Sequence, residues 1–156
     1  WETLEICQLL WEKNQASFDG SIYKFKDIWC QPQPVQGADL PLLFGLKMTE
    51  KTAQKISDIG HGWIPIKTDE EFISNGKELL QAAFNKNNRI DEPRIRGQLP
   101  TQVDESGIPN LELTLKQAEK SITAGLTEIE IFPINFVRSK DDIEPVLKAI
   151  SDLSKL

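Results

Sequence analysis

Leu4, Cys7, Leu10 and Trp11 recur at helical spacing, which predicts an amphipathic helix over residues 2–13. After Ser17 the pattern changes. Phe18-Asp19-Gly20 reads as a turn and Ile22-Tyr23-Lys24-Phe25 as short extended structure, so Ser17 to Val35 is expected to form an irregular hairpin. Pro32, Pro34 and Pro41 fix their own backbone and restrict the residue before each, which excludes helix from about 31 to 41. That stretch reads as a connector.

From Pro41 onward the pattern becomes periodic. Leu42-Leu43-Phe44-Gly45 is a short apolar run of the kind found in strands buried on both faces. Thr49 suits the cap of a following helix whose inner stripe is Ala53, Ile56 and Ile59, ended by Gly60 or Gly62. Trp63-Ile64-Pro65-Ile66 is the next strand candidate. Thr68-Asp69-Glu70-Glu71 then has the form of a capping box, opening a helix that carries Phe72, Ile73, Leu79, Leu80, Ala83 and Phe84 to about Lys86. A third, weaker strand is Arg94 to Leu99, and the helix after it places Leu115, Ala118 and Ile122 inside and stops at Gly125. Glu128 to Phe132 is the fourth strand. The last helix is expected to start at Ser139, with Asp142 three residues on, and to bury Ile143, Val146, Leu147, Ile150 and Leu153.

Four strand-then-helix units with no hairpin among them predict an α/β fold with a parallel sheet built by right-handed crossovers. Two architectures satisfy that order: a complete doubly wound domain, and half of a (β/α) barrel, which needs about 250 residues when whole. The chain opens mid-helix at Trp1-Glu2-Thr3-Leu4 rather than at Met. It therefore reads as the later part of a longer protein, with 1–40 forming the helix, hairpin and connector and 41–156 the last four βα units of a TIM-like barrel. A flavodoxin-like domain fits less well, because it needs a phosphate loop at the chain start, and a proline-rich connector precedes the first strand.

Composition narrows the functional classes. No apolar run approaches the roughly 20 residues of a membrane-spanning helix. The 18 Lys and Arg are outnumbered by 24 Asp and Glu, for a net charge of −6, and no basic run is present to follow nucleic-acid phosphates. Cys7 and Cys30 match neither a disulfide framework nor zinc spacing, which points to a reducing, cytoplasmic setting. With a single His, no metal site is expected.

Several pieces of the sequence, taken in order, carry a resemblance. Leu9-Leu10-Trp11, Ser17-Phe18-Asp19-Gly20, Tyr23, Pro32-x-Pro34-Val35-Gln36, Pro41-Leu42-Leu43-Phe44-Gly45 and Gly60-His61-Gly62-Trp63-Ile64-Pro65 together resemble the central and C-terminal part of a luciferase-like monooxygenase. The resemblance covers about residues 4–66; beyond it, Ala124-Gly125-Leu126-Thr127-Glu128 and the strand-helix rhythm match in layout. It implies a flavin- or deazaflavin-dependent barrel oxidoreductase, with FMN or a deazaflavin coenzyme and a small-molecule substrate. The groups nearest the reacting ring belong to early strands that this chain lacks. Its catalytic residues therefore stay unassigned, and the fragment alone is expected to be inactive. The later half is implied to supply the phosphate-binding loop after its first strand.

The chemistry of that loop follows from elementary electrostatics. Amides at a helix N-terminus point outward with partial positive charge and favour a phosphate placed there. Gly45 permits close backbone approach, Lys47 adds a point charge, and the Thr49 hydroxyl serves either a phosphate or its own helix. Leu46 stands where the resembling proteins carry a second glycine. Arg138, after the fourth strand, has the planar guanidinium suited to an anion, although a surface arginine before a helix is the simpler reading. Lys67, Thr68, Gln98, Thr101 and Asn135 follow strands at the same rim, whereas His61, where the family commonly has Asp, precedes a strand and reads as a structural turn residue. The competing function is a noncatalytic half-barrel that homodimerises through its open sheet edges.

Overall fold

The structure is a computed structural model describing residues 1–153. Its chain divides at Pro41 into two units, Trp1–Pro41 and the segment from Leu42 onward.

In the first unit, helix α1 (Glu2–Glu12) precedes an antiparallel pair, β1 (Gln15–Asp19) and β2 (Lys24–Trp29). The pairing shifts register between Ala16 and Phe18, and opposite the shift Asp27 adopts a left-handed φ of 54° while its N–H donates to Ser17 Oγ at 2.9 Å. Phe18 and Asp19, expected in the turn, belong to β1 instead. The reversal occupies Gly20 to Tyr23, closed by the Gly20 N–H donating to the Tyr23 carbonyl at 2.9 Å.

The turn sits there because α1 supplies its acceptor. The Glu2 carboxylate receives the Ser21 N–H and hydroxyl, both at 2.6 Å, and the N–H groups of Ile22 and Tyr23, each at 3.0 Å. These bonds, led by the Ser21 hydroxyl, favour the ionised form and hold the Glu2 carboxyl at about 2 rather than 4.5. Because the folded-state value is depressed, the stabilisation is complete above pH 4.5 and is lost as pH falls toward 2. We expect the protection of the Ser21 to Tyr23 amides, relative to their intrinsic exchange rates, to fall through that acid window, and to be low throughout it in Glu2→Gln. A turn equally protected in that variant would contradict the assignment.

The second unit is a four-stranded parallel sheet in the order β3 (Leu43–Phe44), β4 (Gly62–Trp63), β5 (Arg94–Gln98) and β6 (Glu128–Glu130). Between them run α2 (Glu50–Ile59), α3 (Glu70–Lys86), the short pair α4 (Leu111–Leu115) and α5 (Ala118–Ala124), and after β6 comes α6 (Ile143–Leu153). Trp63, Ile73, Leu80, Phe84, Ile95 and Leu99 form the core on the helix side of the sheet. There Trp63 lies against Phe72 of α3, and Ser57 Oγ of α2 donates to the Ala83 carbonyl at 3.0 Å. Arg89 packs over the Phe84 ring and donates to the Ser57 and Gly60 carbonyls, satisfying the C-terminal end of α2.

Several local expectations are corrected. The strand expected at Trp63 to Ile66 ends at Trp63, since Pro65 offers no ladder N–H. Asp69 rather than Thr68 caps α3, its carboxylate accepting the Phe72 N–H at 2.9 Å. The third helix is split at Lys116 and Gln117, leaving Ile122 exposed, and Gly125 terminates α5 at φ +124°. Ser139 and Asp142 form their capping box around a 3₁₀ turn that leads into α6. Ile143 and Leu147, expected inside, are exposed, while Val146 is buried.

Candidate functional site

All four strands point the same way, so the segments after Phe44, Trp63, Gln98 and Glu130 share one end of the sheet. At β3 the chain leaves through Gly45, Leu46, Lys47 and Met48 to the α2 cap at Thr49. Gly45 is exposed, and a Cβ built on it meets nothing within 4 Å. The absence of a side chain therefore answers no packing demand; it leaves the backbone open to solvent.

Two anchors hold the loop. The Trp63 indole N–H donates to the Leu46 carbonyl at 2.8 Å, and the Thr52 hydroxyl donates to the Lys47 carbonyl at 2.9 Å. Thr49 is committed to its helix: its hydroxyl accepts the Thr52 N–H at 3.2 Å, and its own N–H donates to Thr52 Oγ1 at 2.8 Å. The first intrahelical bond of α2 runs from the Ala53 N–H to the Thr49 carbonyl. The Glu50 and Lys51 amides precede it and face outward, as the first amides of any helix do. Lys47 is exposed beside them, and Leu46 is 37% exposed on the same loop.

Gly45, Leu46, Lys47 and Thr49 are thus one continuous loop. Arg138 is not part of it. It follows β6 at the opposite edge of the sheet, three strand spacings or roughly 14 Å across. Its backbone N–H donates to Asp142 Oδ2 at 2.9 Å, and that bond, with one from Ser139 and the nearby guanidinium charge, holds the Asp142 carboxyl below the usual range. Elsewhere on the rim the Lys67 ammonium lies 5.7 Å from the Phe72 ring centroid, and Asn135 Nδ2 donates to Thr101 Oγ1 at 2.9 Å, tying the loops after β5 and β6 together. His61 lies at the other end of the sheet, where its Nδ1 accepts the Leu42 N–H at 3.1 Å and its backbone bonds to Leu42 and Arg94.

Among the sequence candidates, Gln98 belongs to a larger polar face that the sequence reading did not assemble. Ile95, Gly97 and Leu99 turn toward the helices, so Arg94, Arg96 and Gln98 occupy the opposite face, beside Glu128 and Glu130 of β6. Glu128 accepts from Arg94 Nε and, at 2.7 Å, from Arg96 Nε. These charge-assisted bonds, Arg94 first, depress its carboxyl. The period-2 pattern Arg-x-Arg-x-Gln beside Glu-x-Glu was the available signal.

No protein-family model matches the chain. It is 35% identical over 94 residues to uncharacterised proteins of Mycobacterium bovis and Mycobacterium tuberculosis, and spans about a third of their length. Among solved structures it is similar to an F420-dependent secondary alcohol dehydrogenase in complex with an F420-acetone adduct (TM-score 0.66, 13% identity, 82% of this chain and 53% of that one). It is also similar to the coenzyme F420-dependent tetrahydromethanopterin reductase of Methanopyrus kandleri (0.64, 12% identity, 82% and 55%) and a monooxygenase of Streptomyces bottropensis (0.56, 15% identity, 97% and 49%). The fold is a partial TIM-like barrel. In such barrels the active site lies at the C-terminal ends of the strands, the end that carries the Gly45 loop here. The chain spans about half the length of these neighbours. Among the described residues no helix is long and apolar enough to cross a membrane, and no cluster of metal-ligating side chains is present.

Proposed function

We propose that this chain is the later part of a luciferase-like oxidoreductase and supplies the phosphate side of its cofactor site. The observation that carries this reading is the open Gly45 loop at the C-terminal end of β3, leading directly into the outward amides of α2. The residues fit a phosphate: Gly45 leaves room against the backbone, the Glu50 and Lys51 amides donate, and Lys47 adds charge. Thr49 contributes indirectly, by fixing the helix end. Arg138 would reach the cofactor or substrate from the far edge. Two of the structural neighbours are F420-dependent by name, which favours a deazaflavin coenzyme over FMN. When bound, that group supplies hydride transfer; the residues described here bind and orient it. A small-molecule substrate and a cytoplasmic setting belong to the same reading.

Fluorescence titration of the full chain with F420, and separately with FMN, tests it. We expect F420 to bind, and Gly45→Ala to weaken it about ten-fold or more by placing a methyl where the phosphate approaches, with thermal stability unchanged because the space is empty. Lys47→Ala should weaken binding several-fold and flatten its salt dependence. A wild-type chain that binds neither cofactor overturns the proposal.

A second reading is favoured by the sheet itself. Among the described residues β3 and β6 are its outermost strands and present unpaired edges, as expected of a half-barrel that closes against a second copy. A dimeric mass in solution, together with no cofactor binding, would select this reading.

A further inference from the structure

The face of the sheet turned away from the helices is polar in β5 and β6. Parallel strands are ordinarily covered on both faces and read as continuous apolar runs, so five polar side chains on one face call for a reason. The lower rung has a structural one. Glu128 is the common acceptor for Arg94 and Arg96, its side chain is only 25% exposed, and the three groups lock β5 to β6.

The upper rung sets a neutral amide, rather than an arginine, beside its carboxylate. Gln98 and Glu130 are register partners on the same face, at the C-terminal ends of their strands. The Glu130 carboxylate lies 4.0 Å from Arg96 Nη1, beyond hydrogen-bond range, and its side chain is 50% exposed. Arg96 is already held by Glu128, so it contributes positive potential to Glu130 without occupying its oxygens. A carboxylate whose oxygens take no hydrogen bond, beside an amide and on the face turned away from the helices at this end of a barrel strand, presents acceptors to whatever enters there.

We infer that Glu130 and Gln98 form a substrate subsite for a hydrogen-bond-donating group, an alkyl ammonium or alcohol, with Arg96 and Glu128 as its positioning residues. That the ligand is a substrate rests on the oxidoreductase reading; the donor selectivity does not. The carboxylate takes the donor, preferring a cation, and the Gln98 amide fixes its orientation.

The test is a titration of the ¹⁵N-labelled full chain with isopropylammonium, 2-propanol and acetone at low salt, following the Gln98 side-chain amide resonances, with and without F420. We expect saturable shifts in the order ammonium, alcohol, acetone, with acetone inert. In Glu130→Gln the preference for ammonium over alcohol should fall about ten-fold, the loss of one charge-assisted bond, while an unchanged backbone spectrum reports intact folding. In Glu128→Gln the freed Arg96 should turn to Glu130 and weaken ammonium binding although Glu130 is intact. Equal shifts from all three probes, or an unaltered preference in Glu130→Gln, overturn the inference. Donor selectivity in a chain that fails to bind F420 keeps the subsite and removes the oxidoreductase reading; F420 binding without donor selectivity does the reverse.

Discussion

Trp63→Ala is expected to cost about 3–5 kcal/mol, the range for removing a large aromatic side chain from a packed core. Trp63 has no solvent exposure, its ring lies 5.7 Å from that of Phe72, and a Cβ on Gly76 would come within 2.3 Å of it. Neither wall can collapse cheaply, because Phe72 and Gly76 belong to the long helix α3, whose other inward residues are already buried. The same side chain reaches the rim through its indole N–H, so Trp63→Phe separates two effects. Phe restores most of the volume but removes the bond to the Leu46 carbonyl on the exposed loop, a loss of about 0.5–1.5 kcal/mol. Denaturant unfolding at constant m-value should rank the three proteins wild type, Phe, Ala. F420 titration should show that Phe weakens cofactor binding beyond what its stability explains, since the loop has lost an anchor. Wild-type affinity in Trp63→Phe would mean that Thr52 alone holds the loop.

The parts of this fold legible in the sequence are those written in local chemistry. Thr49 caps α2, Ser139 and Asp142 pair as a capping box, and Gly125 ends α5 because each motif is decided within a few residues. Where two local solutions compete the reading slips. Thr68 and Asp69 are both good caps, and Asp69 prevails. Ile122, Ile143 and Leu147 have helical spacing yet stay exposed, because periodicity names a face but not whether anything covers it. The Gly45 loop was visible as a glycine before a cap, whereas the pairing of the polar positions of β5 with those of β6 was hidden. Arg94 and Glu128 stand 34 residues apart, and only the parallel register brings them together. The Glu2 clamp was hidden for the same reason: a helix carboxylate meets turn amides nineteen to twenty-one positions downstream.

Gly62→Ala should be more damaging than any other single-methyl addition in the sheet. Gly62 pairs with Leu43 on one side and Arg94 on the other, in the strand that lies between β3 and β5. A Cβ there would stand 1.9 Å from the Arg94 carbonyl oxygen and 2.7 Å from Leu43 Cδ2. The oxygen belongs to backbone, so relief requires β4 and β5 to separate and forfeit the ladder bonds between them. His61, one residue earlier, would move with them and release the Leu42 N–H. Overpacking of a side chain in a tolerant core costs about 1–3 kcal/mol, and a backbone clash exceeds that range. Gly45→Ala is the control: it adds the same methyl one strand away, into open space. Thermal melts followed by circular dichroism should therefore show Gly45→Ala indistinguishable from wild type and Gly62→Ala unfolded or melting far lower. If both melt like wild type, the close approach of β4 to β5 is not a feature of the folded protein, and the parallel register that brings the charged rungs together loses its support.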